Sequence, residues 1–68
     1  MIRYYKHKRH NFTYKIEDGD TWYLLDSLHN WVDISNHHKK EDFYAEIYYT
    51  KEISVSELPE DVAMLELL

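Results

Sequence analysis

The sequence predicts an α+β fold, with a small antiparallel sheet of three to four strands and a C-terminal helix packed on one face. Three observations predict it. Residues 12–17 alternate apolar and polar side chains, the period of two that a half-buried strand requires. Residues 18–24 then supply a turn pair and a run of strand formers. Pro59 opens a segment with early acids and an apolar stripe, which is the pattern of a helix start.

Gly19, the only glycine in the chain, lies at the centre of the clearest local signal, a β-hairpin. Glycine takes a positive φ at no steric cost, so Asp18-Gly19 suits a tight turn. If Glu17 and Asp18 turn and Gly19 forms a left-handed bulge, three cross-strand pairs follow. They are Ile16 with Asp20, Tyr14 with Trp22, and Phe12 with Leu24. The two apolar pairs would each contribute roughly 0.2–1 kcal/mol to one face of the sheet.

The basic N-terminal segment is predicted to form a first strand from Ile2 to Lys8, with a polar turn at residues 8–11. This turn produces an up-down-up meander through Leu25. Alternatively, Ile2 to Ile16 forms one long basic strand with a bulge. Like charges opposite one another destabilise a sheet, so we expect the basic side chains to splay or to face acidic neighbours.

The segment from residue 20 to residue 34 is open between strand and helix. Residues 21–25 are good strand formers, yet apolar side chains here also recur at helical spacing. The residues at that spacing are Leu24, Leu25, Leu28, Trp31 and Val32. We predict a strand from Thr21 to Leu25, followed by a short middle helix or a turn from Ser27 to Ile34.

The rest of the chain predicts one exposed loop, two strands and the helix. Residues 35–42 are polar and predict the loop, and Phe43 to Tyr49 alternates as a strand. Residues 53–56 predict a further short strand after a turn at residues 50–52. Pro59 to Leu68 is predicted to be helical, and because ten residues are too few for a stable isolated helix, it must dock on the sheet.

The predicted core combines residues of the sheet and of the helix. It consists of Tyr14, Ile16, Trp22, Leu24, Leu28, Phe43, Ile47, Ile53, Val55, Val62, Leu65 and Leu68. The other face of the sheet is expected to stay partly open and to carry several of Tyr5, Tyr23, Tyr44 and Tyr48. An open aromatic face on a small domain indicates an interface or a self-association surface.

Composition indicates a single domain over residues 1–68, with no disulfide, since the chain has no cysteine. No apolar run approaches the roughly 20 residues that span a bilayer. The N-terminus lacks the apolar segment of a signal peptide, so we expect a cytoplasmic protein. The net charge is −5, but residues 1–16 carry five cations and no acid, whereas residues 17–68 carry thirteen acids against three lysines.

The search for chemistry predicts no enzymatic activity, no cofactor and no metal site. Asp26, His29, Asp33 and His37 are three to four apart and would line one helical face, yet no two-histidine zinc signature is present. Ser27 lies beside Asp26 and His29, but catalytic triads are assembled in space rather than in a row. One glycine cannot build a phosphate-binding loop.

We therefore expect a small acidic protein that binds and modulates or inhibits a larger cytoplasmic protein, one that handles nucleic acid being a suitable target. Charge and aromatic complementarity would provide the recognition. The candidate partner-binding residues are Tyr5, Tyr23, Asp33, Tyr44, Glu46 and Tyr48. In its shortness, acidity, aromatic content and lack of a catalytic set, the chain resembles small bacteriophage or mobile-element inhibitors of host machinery.

Two alternatives remain open at this point. The first is a nucleic-acid-binding module, because the N-terminal segment interleaves cations with aromatic rings in the manner of single-strand binders. The residues that would bind are Arg3, Lys6, Lys8, Arg9 and Lys15. The second is a homodimer in which two open sheet faces cover each other.

Overall fold

The computed structural model describes residues 1–36 and 48–68, and five β-strands of these residues form one antiparallel sheet. The strands are β1 (Ile2–His7), β2 (Thr13–Glu17), β3 (Thr21–Leu25), β4 (Trp31–Asp33) and β5 (Thr50–Ile53). A 3₁₀-helix (Val55–Glu57) and one α-helix, α1 (Glu60–Glu66), follow β5. The strand order is β4-β3-β2-β1-β5. The predicted α+β class is confirmed, but the sheet has five strands within the described ranges rather than three to four.

The strand β4 replaces the short middle helix that was one prediction for Ser27 to Ile34. One carboxylate oxygen of Asp26 accepts hydrogen bonds from the backbone N–H groups of Leu28 and Asn30, at 2.9 and 2.8 Å. His29 adopts a φ of 61°, in the left-handed region. The chain therefore reverses at residues 27–29, as the turn alternative predicted, and Trp31–Asp33 returns along β3. The helical spacing is overridden because Asp26 bonds the local backbone in a non-helical turn.

The β2–β3 hairpin forms as predicted, but its register is shifted by two residues. Ile16 lies opposite Trp22, and Tyr14 lies opposite Leu24. Asp18 and Gly19 both have positive φ, 54° and 77°, and the N–H of residue 20 donates to the carbonyl of residue 17 at 3.2 Å. These values define a type I′ turn, which needs positive φ at both central positions. Because strands alternate with a period of two, the shift leaves every side chain on its predicted face.

The strand β5 lies where a turn was predicted. Thr50–Ile53 pairs with β1, whereas Val55 and Ser56 of the strand predicted at 53–56 belong to the 3₁₀-helix. The Ser54 N–H donates to the Glu57 carboxylate at 2.9 Å, one half of a capping box that starts the helical turn. Tyr48 and Tyr49 form a turn, and the rest of the strand predicted at 43–49 lies outside the described residues.

Apolar clusters form on both faces of the sheet. One contains the buried side chains Tyr14, Ile16 and Trp22, with Tyr5, Leu24 and Ile34 packed against them. The other contains Ile53, Leu58 and Val62, with Tyr4, Leu25, Trp31, Val55 and Ala63 packed against them. Since successive strand residues point to opposite faces, the pairs Tyr4–Tyr5 and Leu24–Leu25 place the two clusters on opposite sides. The 3₁₀-helix and α1 pack on the second side.

The burial predicted for the strand centres is confirmed, but the single predicted core is wrong: its residues are divided between the two faces of the sheet, and three of its leucines are exposed. Tyr14, Ile16, Trp22, Ile53 and Val62 are buried, and Leu24 and Val55 are partly buried. Leu28, Leu65 and Leu68 are 79%, 67% and 100% exposed. Phe43 and Ile47 lie outside the described residues. Leu58, which was not predicted, is buried at 5% exposure because the 3₁₀-helix turns it against Ile53 and Val62.

Candidate interaction surfaces

The last turn of α1 and the two residues after it present an apolar surface to solvent, which we call the helix ridge. It consists of Met64, Leu65, Leu67 and Leu68, which are 63%, 67%, 72% and 100% exposed. Residues three or four apart share a helix face, so Val62 and Glu66 point together toward the sheet. With Val62 and Glu66 toward the sheet, the ridge side chains face solvent. Glu60 and Asp61 lie one turn earlier on the same outer side, four residues before Met64 and Leu65.

A polar network holds the last turn of α1 in this orientation. The Lys15 ammonium of β2 lies 3.0 Å from Glu66 Oε1, and the Tyr4 hydroxyl of β1 donates to the same oxygen at 2.8 Å. The ammonium also lies 5.0 and 4.8 Å from the ring centroids of Tyr23 and Trp31. Burial, and then the hydrogen bond and negative charge of Glu66, raise the pKa of Tyr4 to about 12. Glu66 is thus fixed to the sheet by a cation and a phenol.

A second ion pair ties the start of α1 to the β3–β4 turn. His29 Nδ1 lies 2.9 and 3.0 Å from the two carboxylate oxygens of Asp61. The hydrogen bond from His29 and its positive charge lower the pKa of Asp61 below its ordinary value, against a smaller opposing effect of burial. Both side chains are largely exposed, so this contact is weaker than the one at Glu66.

Cations and aromatic rings gather at the end of the sheet where β1 meets the β1–β2 connection and β5 begins. We call this surface the basic–aromatic end. It consists of Lys6, Lys8, Arg9, Phe12, Tyr48, Tyr49 and Lys51, all of them exposed. The backbone joins its parts, because the Lys8 N–H donates to the Tyr49 carbonyl at 2.8 Å. The Arg9 guanidinium lies over the Tyr49 ring, 5.8 Å from its centroid.

The buried side chain of His7 organises this connection. Its Nδ1 accepts hydrogen bonds from the backbone N–H groups of Arg9 and His10, at 3.0 and 3.1 Å. Its ring stacks on Tyr49 with a centroid distance of 6.2 Å and meets Phe12 edge-on at the same distance. The His7 ring therefore positions both a backbone turn and two exposed rings.

The predicted protein-binding residues do not form one surface. Tyr5 packs against the cluster around Tyr14, whereas Tyr23 lies on the opposite face beside Lys15. Asp33 accepts a hydrogen bond from the Ser35 N–H at 2.8 Å. Tyr48 is 82% exposed and belongs to the basic–aromatic end. Tyr44 and Glu46 lie outside the described residues.

The predicted nucleic-acid-binding residues separate into two groups. Lys6, Lys8 and Arg9 lie together at the basic–aromatic end. Lys15 is largely buried in its ion pair with Glu66, and Arg3 lies near the other end of β1, with Nε 3.5 Å from the Met1 sulfur. Sequence reasoning missed the contribution of residues 48–51, because only the pairing of β1 with β5 brings them to this end.

Asp26 and His29, which were considered for metal binding and catalysis, bond to other groups in the structure, and His37 lies outside the described residues. Asp26 bonds the turn backbone and His29 pairs with Asp61. Within residues 1–36 and 48–68, no group of three histidine, aspartate or glutamate side chains is arranged to hold a metal ion. Asp26, Ser27 and His29 line an open cleft of about 490 Å³. No hydrogen bond joins Ser27 to His29, so the described residues there hold no paired nucleophile and base.

Among the described residues, no helix is both long and apolar enough to cross a bilayer. No protein-family model, no curated protein and no solved structure matches this chain.

Proposed function

We propose that this chain is a non-enzymatic protein-binding module, which docks the helix ridge into an apolar groove on a larger partner protein and so modulates it. The exposure of the ridge carries the proposal: four large apolar side chains, two in α1 and two in the residues directly after it, are 63–100% exposed. Contiguous apolar patches of this kind indicate interaction surfaces. An amphipathic helix that lies in a groove is a recurrent way to bind proteins.

The charge around the ridge specifies the rim of the partner's groove. Glu57, Glu60 and Asp61 are exposed and precede the ridge, and the whole chain carries a net charge of −5. Complementary charge at the rim speeds encounter and selects the partner, so the partner groove carries lysines or arginines. Basic surfaces are typical of proteins that bind nucleic acid, which makes a cytoplasmic protein of that class the proposed target.

Affinity capture with matched variants tests this proposal. The tagged full-length chain is used to recover proteins from nuclease-treated lysate, alongside Leu65→Ser and the control Leu28→Ser, which removes an equally exposed leucine from the β3–β4 turn. We expect the wild-type chain to recover one stoichiometric protein. Leu65→Ser should recover at least about fivefold less of it, the effect expected from the loss of one interface anchor. We expect Leu28→Ser to keep it and Glu60→Lys to weaken it.

Two results would overturn the proposal. The first is a partner that Leu65→Ser retains in full, since the ridge would then play no part in binding. The second is a homodimer, detected by light scattering, that dissociates in Leu65→Ser. In that case a second copy of the chain covers the ridge and no larger partner is needed.

A further inference from the structure

Lys6 of β1 and Lys51 of β5 lie directly opposite each other in the sheet. Directly opposed residues of neighbouring strands have their Cβ atoms about 4.5–5.5 Å apart on one face, and like charges in that arrangement destabilise the sheet. Both side chains are exposed, and neither forms an ion pair within the described residues. Because both positions are exposed, packing does not require a lysine at either of them. An anion bound between the two ammonium groups would relieve their repulsion.

The positive charge continues into the β1–β2 connection. Lys8 and Arg9 are exposed there, and the hydrogen bonds to His7 fix the backbone that carries them. Glu52, the acid next to Lys51 in sequence, points away from Lys6 and Lys51, to the face that carries His7 and Phe12, because strand side chains alternate. The first sixteen residues contain no acid. Four exposed cations therefore lie together at this end although the chain as a whole is acidic.

Two aromatic rings lie beside these cations. Tyr48 and Tyr49 are 82% and 51% exposed, whereas Phe12 lies on the other face of the sheet, beside Tyr14. Exposed rings offer flat apolar faces on which nucleobases stack, and such stacking tolerates any base sequence. Bases offer those faces only when they are unpaired, because in a duplex they stack on one another.

We propose that the basic–aromatic end binds single-stranded nucleic acid, with Lys6, Lys8, Arg9 and Lys51 contacting phosphates and Tyr48 and Tyr49 contacting bases. The surface shares no residue with the helix ridge, so this activity is independent of protein binding. The overall negative charge does not prevent it, because salt screens charges beyond about 8 Å at physiological ionic strength.

Fluorescence anisotropy with the full-length chain tests the proposal. The probes are fluorescein-labelled oligothymidylate and oligouridylate of about 12 nucleotides, titrated at several salt concentrations. We expect log affinity to fall with log salt with a slope of about −0.7 for each phosphate contacted. Lys51→Ala should weaken binding by roughly tenfold and reduce the slope by about 0.7. Arg3→Ala removes the same charge away from this surface and should change the affinity by less than about twofold.

Thermal unfolding of the same variants separates lost binding from lost folding. Lys51→Ala removes a like-charge pair, so its melting temperature should equal or exceed that of the wild-type chain. Tyr48→Ala changes a ring that is 82% exposed. It should weaken oligonucleotide binding by about fivefold or more without changing the melting temperature.

Four results would overturn the proposal. One is the absence of oligonucleotide binding. A second is equal affinity for a poly-glutamate peptide, which would assign the surface to an acidic protein. Another is an oligonucleotide affinity that the lysine variants reduce and Tyr48→Ala does not, together with equal affinity for heparin. That result would indicate a general polyanion site. The last is tighter binding of a duplex of the same length, since paired bases do not expose their faces.

Discussion

Lys15 and Glu66, which belong to the second strand and the last turn of the helix, form an ion pair with an N–O distance of 3.0 Å. Their side chains are only 13% and 14% exposed. Removing two charges from water is costly, and that cost is offset only where further hydrogen bonds and close packing accompany the pair. Here the Tyr4 hydroxyl bonds the carboxylate and two aromatic rings flank the ammonium. The pair thus determines which face of the helix reaches solvent.

Removal of the Lys15 charge is expected to destabilise the fold strongly. Lys15→Met keeps much of the aliphatic stem but leaves the Glu66 carboxylate uncompensated, which should reduce the free energy of unfolding by about 3 kcal/mol. The double variant Lys15→Met/Glu66→Gln removes both charges and should recover at least half of that loss. Urea denaturation followed by tryptophan fluorescence measures both. Lys8→Met, at an exposed position, is the matched control. The prediction would be contradicted if Lys15→Met reduced the free energy of unfolding no more than Lys8→Met does.

Tyr4 makes stability depend on alkaline pH. Its folded pKa of about 12 exceeds the ordinary value of 10.0, so the folded state holds the phenolic proton more tightly. The contribution is therefore fully present below pH 10 and is lost as the pH rises toward 12. Tyr4→Phe should lower stability at pH 7 by about 1 kcal/mol, the usual net value of a hydrogen bond, and should flatten the decline above pH 10.

The control for this alkaline decline is Tyr48→Phe, which removes a hydroxyl that has no hydrogen-bond partner among the described residues. Urea unfolding at pH values from 8 to 12 gives the profiles, and Tyr48→Phe should retain the wild-type profile. A Tyr4→Phe profile that falls as steeply as the wild type would show that another group causes the alkaline loss.

Local sequence patterns predicted the first three strands, the faces of the side chains within the β2–β3 hairpin and the position of the helix. Alternation is sufficient for this, because a period of two determines the face of a residue regardless of its partner. The patterns could not predict that Glu66 rather than Leu65 faces the sheet. The helix stripe allowed both orientations, and Lys15 and Tyr4 decide between them from positions distant in sequence.

The candidate surfaces likewise depend on contacts between residues distant in sequence, which local patterns do not predict. Three cations of the basic–aromatic end lie in the first nine residues, but Lys51 and the tyrosines at 48 and 49 join them only through the β1–β5 pairing. That pairing joins residues distant in sequence, and its second strand, β5, lies where a turn was predicted at residues 50–52. Likewise, the tyrosines at 5 and 23 were expected on one face because the register between β1 and β2 is not encoded in alternation.

Gly19 is expected to tolerate no ordinary side chain without a backbone cost. Its φ is 77°, and a Cβ placed there would have no neighbouring atom within 4 Å. Gly19→Ala therefore isolates the cost of the left-handed backbone, about 1–2 kcal/mol. Differential scanning calorimetry should show a fall in Tm of about 4–8 °C per kcal/mol. Gly19→Asn should cost less, since asparagine tolerates this region; equal losses for both variants would point to a steric rather than a backbone origin.

The His29–Asp61 pair predicts a loss of stability in acid. Its hydrogen bond lowers the folded pKa of Asp61 below the ordinary 3.8, so the contribution is present above that value and is lost as the pH falls through the folded pKa. Asp61→Asn should remove this part of the pH dependence. His29→Asn, which keeps a residue suited to the left-handed turn, should remove the same part, and the double variant should lose no more than either single one.

The acid profile is measured by urea unfolding between pH 2 and pH 6, with Glu60→Gln as the matched control. Glu60 lies beside Asp61 in the first helical turn but forms no ion pair within the described residues, so its variant should keep the wild-type acid slope. Two independent and additive effects of Asp61→Asn and His29→Asn would refute the link between the turn and the helix. A shared effect would show that this contact joins the start of the helix to the β3–β4 turn, as Glu66 joins its end to the sheet.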